Sequence, residues 1–279
     1  MSSELKLDQT SFRNMEYAGW EKNASSYDEL FGSVTRHAIE PLLDATAVQS
    51  GSNVLEVCCG PGYGVAAALA RGARAIGVDF APAMVEAAKR LFPVAHFEQG
   101  DAEALRFEAC VFDAVICAFG VNHLQDPDRA IAEMYRVLRP GGNFAFTMWC
   151  VPEKSKFHQL VLESIRSHGT LDVPLPVAPP PFRFSEPDAC TAVLRRAGFA
   201  DPRVIEIPLS FRPRTVTQVL DLTYSAVRME MILNLQTAQA REQIHRAIVE
   251  GAKRFRIRSE IEVPMPAVLA SGEKPWPQR

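Results

Sequence analysis

VLEVCCGPGYG, residues 54–64, runs an apolar segment into two adjacent cysteines and then into three glycines. Val54, Leu55 and Val57 give the apolar character of a strand. The glycines free the backbone for a tight turn and for close approach of a ligand. The residues that follow, GVAAALARG, read as a helix closed by Gly72. The first N–H groups of such a helix have no partner within it. A strand, a glycine turn and a helix in that order form a ligand-binding geometry at the carboxyl end of an open sheet.

Downstream the alternation continues. ARAIGVDF reads as a second strand, and Pro82 suits the first position of the helix PAMVEAAKRLF. VAHFEQGD and VFDAVICAFG read as strands three and four. DPDRAIAEMYRVLRPGG reads as an amphipathic helix that starts at Pro127 and ends at Arg139 and the Pro-Gly-Gly run. NFAFTMW is the fifth strand. Strands alternating with helices predict a parallel sheet with helices on both faces.

The flanks differ. Residues 12–31 read as one helix with Tyr17, Trp20, Ala24, Tyr27 and Phe31 on a single face, either ordinary core or a lid. Residues 171–187 are crowded with prolines and exclude a continuous helix or a central strand. PDACTAVLRRAGF is a helix and RVIEIPLSF a strand. Residues 215–256 read as two helices. EIEVPMPAVLA is the last strand, which Pro264 and Pro266 push toward a sheet edge or irregularity. The expected layout is one domain. Residues 1–50 give N-terminal helices and a lid, 51–150 the core, 151–185 and 213–258 cap insertions, and 186–212 with 259–272 the final helix and strands.

Composition narrows the function. The 279 residues are 47% hydrophobic and 23% charged, the mix of a folded protein with a core. A net charge of −3 argues against a nucleic-acid surface. No apolar run is long enough for a membrane span. MSSELKLDQTSFRN lacks the apolar run of an export signal, so a cytoplasmic location is expected. The six cysteines, at 58, 59, 110, 117, 150 and 190, form no CxxC pair, so neither a disulfide framework nor a metal site is expected.

Three readings of the glycine loop stand side by side. Gly62-Tyr63-Gly64-Val65-Ala66-Ala67 satisfies GxGxx(G/A), and Asp79 lies near the distance expected for a ribose, which suits a nicotinamide or flavin nucleotide. The second reading is S-adenosylmethionine. The third is a turn that binds nothing. No GxxxxGK[ST] sequence is present.

The residues resemble motif I of the class I methyltransferases, an acid and an apolar residue followed by GxGxG. In that alignment Glu56 is the acid, Cys58 replaces the first glycine, Cys59 stands where cysteine is common, and Gly60 and Gly62 are the remaining glycines. DPDRAIAEMYRVLRPGG is similar to the signature of the ubiquinone/menaquinone-biosynthesis-like, type 11 methyltransferases, and Asp113 matches their pattern as a structural residue. The resemblance implies a Rossmann-like α/β fold, with a seven-stranded mostly parallel sheet whose last strand is antiparallel. It implies S-adenosylmethionine as cofactor and S-adenosylhomocysteine as product. It places Asp79 on the ribose, Phe80 and Met84 against the adenine, Asp101 on the adenine amino group and the Ala102 N–H on a ring nitrogen. Phe119 and Gly120 fall on the methionine side. Apart from the resemblance, the aromatic face of the first helix makes Tyr27 a candidate contact over the cofactor.

Methyl transfer asks little of the protein beyond alignment, exclusion of water and sometimes a base. His123 is the histidine at the carboxyl end of a core strand and is the candidate base; a structural histidine is the bland alternative. Tyr17, Trp20, Trp149, Phe182 and Tyr224 are candidate walls for an acceptor, with Phe184, Val219, Val227 and Met231 nearby in sequence. Their apolar and aromatic character favours a small acceptor over a macromolecule. Two other functions fit the same fold: a non-methylation reaction in which the cofactor positions the substrate, and a non-catalytic cofactor-binding protein.

Overall fold

The computed structural model describes residues 11–277, so the expectation for the first ten residues lies outside the described residues. The strands are β1 (Asn53–Val57), β2 (Arg74–Asp79), β3 (His96–Gln99), β4 (Phe112–Ala118), β5 (Leu138–Trp149), β6 (Ala200–Ile207) and β7 (Ala267–Glu273). They form one sheet in the order β3-β2-β1-β4-β5-β7-β6. Strands β1 to β5 pair in parallel, and β7 runs antiparallel to both β5 and β6. This is the expected seven-stranded arrangement. Val54, Leu55, Glu56 and Val57 are buried in succession, as a strand covered on both faces requires. The chain order reverses between β1 and β4. That leaves a crevice beyond their carboxyl ends, where ligands of open sheets sit.

Four expectations need correction. The helix expected over 12–31 is α1, Phe12–Asn23, and Ala24 to Phe31 form turns. The Asn23 side-chain Nδ2 donates to Ser225 O at 3.0 Å, and Ser26 Oγ donates back to Asn23 O at 3.2 Å. Such side-chain bonds compete with helix continuation. Tyr27 and Phe31 therefore do not share a helix face with Tyr17. The Pro-Gly-Gly run is part of β5, since the Gly141 N–H donates to Lys274 O at 2.7 Å and extends the ladder. Residues 215–256 make three helices rather than two, because Ala226 is extended between Gln218–Ser225 and Val227–Asn234. The last strand lies inside the sheet, since Pro264 and Pro266 precede it. Val263–Pro264 pairs instead with Ser210–Phe211 in a separate ribbon. A helix over Lys156–His168 was not anticipated.

The turn after β1 is tightly constrained. Gly62 caps the helix Tyr63–Ala70 at φ +86°, and a Cβ there would lie 2.4 Å from the Phe97 ring. Left-handed backbone costs an L-residue about 1–2 kcal/mol, and overpacking adds a similar amount. Gly62→Ala should lower unfolding free energy by about 2–4 kcal/mol, read from urea denaturation.

Candidate functional site

One cavity opens at the carboxyl ends of β1, β2 and β4. Its free space is about 160 Å³, roughly a dozen positions at the ~10–15 Å³ that one water needs, so it is a ligand cavity and not a packing defect. From the core it is lined by Cys58, Gly60, Asp79, Phe80, Met84 and Gly100 to Glu103, then by Phe119, Gly120 and His123.

Asp79 ends β2 and is 6% exposed. Its Oδ2 accepts the Gly60 N–H at 2.9 Å and its Oδ1 the Ala81 N–H at 3.0 Å. Each oxygen keeps a further lone pair, which two vicinal hydroxyls can use. Burial pushes its carboxyl up to about 6, while the Ala81 and Gly60 N–H groups and His123 pull it back. Gly60, at φ +49°, would carry a Cβ into open space, so its backbone faces room for a ligand. Asp101 follows β3. Its Oδ1 accepts the Glu103 N–H and its Oδ2 the Arg13 guanidinium, both at 2.9 Å. These residues, with Phe80, Met84 and Ala102 along the same wall, fit a nucleoside whose ribose meets one carboxylate and whose base meets the other.

Cys58 lines the cavity, and Cys59, expected among the cofactor-binding residues, is not among its lining. Cys58 keeps the left-handed backbone of the glycine it replaces, at φ +55°. That costs about 1–2 kcal/mol. Gly120 makes the room, since a Cβ on Gly120 would lie 2.5 Å from Cys58 Cβ. The neighbouring Cys117 thiol and burial push the Cys58 thiol well up, so it is a neutral group and not a nucleophile. Cys59 faces the opposite side of β1 and packs with Val65, Val85, Ala88 and Phe97. Gly62 shares that side.

Glu56, the acid of the loop and an expected cofactor-binding residue, is not among the cavity lining. Its carboxylate accepts the Val65 N–H at 2.8 Å and the Gly64 N–H at 3.2 Å, so it shapes the loop from behind. Burial pushes its carboxyl up to about 8 against those two bonds.

Above the sheet, α1 brings Arg13, Glu16 and Trp20 to the cavity. Glu16 is 1% exposed, and its Oε2 accepts Trp20 Nε1–H at 3.0 Å. The same oxygen lies 2.8 Å from His123 Nδ1. His123 Nε2 lies 3.1 Å from Asn122 Nδ2, and the Asn122 Oδ1 is buried without a partner. Glu16 was missed because it reads as the polar face of an amphipathic helix. Its only signal was the Glu16-Trp20 spacing of four.

The far wall is aromatic. Trp20 packs on Tyr27 at 5.9 Å, Tyr27 on Phe31 at 6.4 Å, Phe31 on Trp149 at 6.0 Å and Trp149 on His158 at 5.8 Å between ring centres. Phe182 meets His158 edge-on at 5.5 Å, and Phe119 stacks on Trp149 at 4.2 Å. Trp20, Tyr27, Trp149 and Phe182 are thus brought together as expected. His158 was assigned no role in the sequence, yet it lines the cavity. Its Nδ1 lies 2.6 Å from Ser155 Oγ, and burial lowers it to about 4, which leaves a neutral imidazole. Arg228 joins the lining from the helix Val227–Asn234. Tyr17 and Tyr224 stay outside. Tyr17 is 39% exposed and meets the edge of Phe80, and Tyr224 bonds His245 Nε2 at 2.7 Å between two cap helices. Phe184 and Val219 are core.

Among the described residues no cluster of three or more His, Cys, Asp or Glu could hold a metal, and no helix is long and apolar enough to cross a membrane.

Residues 55–146 match a family described as a methyltransferase domain. A demethylmenaquinone methyltransferase of Renibacterium salmoninarum is 33% identical over 136 residues, 49% of this chain and 57% of that protein. The chain thus spans little more than half of that relative. A 2-phytyl-1,4-naphtoquinone methyltransferase of Thermosynechococcus vestitus is 28% identical over 68% of this chain and 92% of its own length. In fold, the YcgJ protein of Bacillus subtilis superimposes with a TM-score of 0.55 at 22% identity, covering 86% of this chain and 99% of that one. The sheet order, the carboxylates at the ends of β2 and β3, and these similarities agree: residues 55–146 carry a methyltransferase domain, and the chain is similar to the class I S-adenosylmethionine-dependent methyltransferases of the ubiquinone/menaquinone-biosynthesis-like type.

Proposed function

We propose that the protein transfers a methyl group from S-adenosylmethionine to a small, flat, aromatic acceptor. The observation that carries this is the single cavity wall that joins the nucleoside carboxylates Asp79 and Asp101 to the aromatic arc from Trp20 to Phe182. The quinone rings in the names of the two relatives are of the same size and character. When bound, S-adenosylmethionine supplies an electrophilic methyl on a sulfonium and leaves as S-adenosylhomocysteine.

The chain's own residues do the rest. Asp79 holds the ribose hydroxyls, and Asp101 with the Ala102 N–H holds the adenine. Phe80 and Met84 pack against the base, and Phe119, Gly60 and Tyr27 confine the methionine end. Trp149, Phe182 and Trp20 keep the acceptor flat and exclude water, which strengthens the electrostatics inside. His123 takes the acceptor's proton. Glu16 accepts Nδ1–H and so leaves Nε2 as the basic nitrogen, where Asn122 Nδ2–H now sits and the acceptor's hydroxyl replaces it. Because Glu16 belongs to α1, this orientation exists only with α1 in place, and α1 acts as a lid.

Two measurements test the reading. An ionised Asp79 accepts hydroxyl hydrogen bonds on both oxygens, and protonation near pH 6 removes that capacity. S-adenosylhomocysteine should therefore bind more weakly as pH falls below about 6, and Asp79→Asn should abolish that dependence. Asp79→Ala should cost about 1.5–3 kcal/mol at pH 8, the range for hydrogen bonds to a charged group. Isothermal titration calorimetry reads both. In turnover assays that follow S-adenosylhomocysteine release, His123→Ala should lower kcat by about 10²–10⁴ with cofactor affinity intact. Glu16→Gln should cost less. Near-normal turnover in His123→Ala would make His123 structural.

A further inference from the structure

We propose that the acceptor is an aromatic acid and that Arg228 holds its carboxylate; this rests on reading the aromatic end of the cavity as the acceptor site. Two arginines line the cavity. Arg13 is paired, 2.9 Å from Asp101 and 4.0 Å from Glu103. Arg228 is not. Its guanidinium lies over the Phe12 ring at 5.2 Å and makes one long bond, 3.4 Å, from Nη2 to Pro179 O. Among the described residues no carboxylate forms an ion pair with it. The nearby acid, Glu16, is already committed to Trp20 and His123.

Neither the Phe12 ring nor the long bond to Pro179 O neutralises this cation. Arg228 is the second residue of its helix, Val227–Asn234. A positive side chain in a first turn opposes the helix dipole. It is half-buried, and burial lowers its pKa, the mark of a charge whose solvent has been removed without replacement. Such a charge is costly unless an anion meets it.

The chemistry of that anion follows from the surroundings. A guanidinium presents a planar fork that matches a carboxylate with two parallel bonds. Arg228 stands without a second cation beside it, and Glu16, Asp79, Asp101 and Glu103 line the same cavity. A dianionic phosphate would bring two negative charges into a cavity that holds four acids, whereas a monoanion matches the single guanidinium that has no carboxylate partner among the described residues. The arc of Trp20, Tyr27, Phe31, Trp149 and Phe182 offers ring faces and edges to the rest of the molecule. Arg228 thus fixes which end of a flat acceptor points away from the cofactor acids, and His123 serves another position of the ring system.

Two matched probes test this on the full chain saturated with S-adenosylhomocysteine: 2-naphthoate and its neutral counterpart naphthalene-2-carboxamide. Quenching of Trp20 and Trp149, both on the cavity wall, reports binding. Wild type should bind 2-naphthoate at least tenfold more tightly than the amide. Arg228→Met should bring the two within threefold, and Arg228→Lys should keep part of the preference. S-adenosylhomocysteine affinity, titrated in each variant, shows that the fold survives. Equal binding of the two probes by wild type overturns the proposal, as does no binding of 2-naphthoate or a preference that outlives Arg228→Met. Loss of S-adenosylhomocysteine binding by wild type would instead refute the cofactor reading, and the probe comparison is then read on the chain alone.

Discussion

The site depends on one buried carboxylate behind it. Glu56, on the central strand, takes the N–H groups of Gly64 and Val65, the start of the following helix. Those bonds fix where the helix begins, and the helix fixes the turn. With the turn set, Gly60 presents bare backbone to the cavity, and its N–H meets Asp79 from the neighbouring strand. Cys58 is then forced left-handed against Gly120 on the next strand's exit. Three strand ends are tied to one another, and the cavity is the space they leave. Glu56 tolerates burial that pushes its carboxyl upward because both its oxygens are bonded. An unpartnered carboxylate in that position would unfold the loop.

The lid is held differently. Of the twelve residues of α1, Phe12 is the apolar one that is fully buried. Tyr17 and Trp20 add edge contacts to Phe80, Tyr27 and His123. The remaining ties are polar: Arg13 to Asp101, Glu16 to His123, Lys22 to Glu230, Asn23 to Ser225 O, and Glu21 to the Ala83 N–H at 2.7 Å. Phe12 is thus its one fully buried apolar anchor, whereas β1 and β4 beneath it are buried along most of their length, so α1 is held more weakly than the sheet. A weakly held helix that carries Glu16 to His123 couples closure to the orientation of the imidazole.

The core was legible in the sequence because its signals are local. Strand alternation, the glycine turn and the acids at the ends of β2 and β3 each lie within a few residues of one another, so Asp79, Asp101 and Phe119 could be placed in advance. Trp20, Trp149 and Phe182 could be placed through their character. What was not legible depends on pairing across long separations. Glu16 meets His123 across 107 residues, and Arg228 reaches the cavity from a cap helix whose break at Ala226 has no proline or glycine to announce it. Which of Cys58 and Cys59 meets the cavity was not legible, because successive residues at a strand exit face opposite ways. Tyr17 and Tyr224 were over-read: aromatic character places a residue in an apolar setting, and it does not say which one.

The central claim is that a rigid sheet forms the cofactor site and a weakly docked α1 completes it. Amide hydrogen exchange of residues 12–23, with and without saturating S-adenosylhomocysteine, tests it most directly. The account predicts rapid exchange there in the free protein, while β1 and β4 stay protected, and at least tenfold slower exchange in α1 once the cofactor product is bound. Full protection of α1 in the free protein, unchanged by S-adenosylhomocysteine, would make the helix ordinary core and contradict the account.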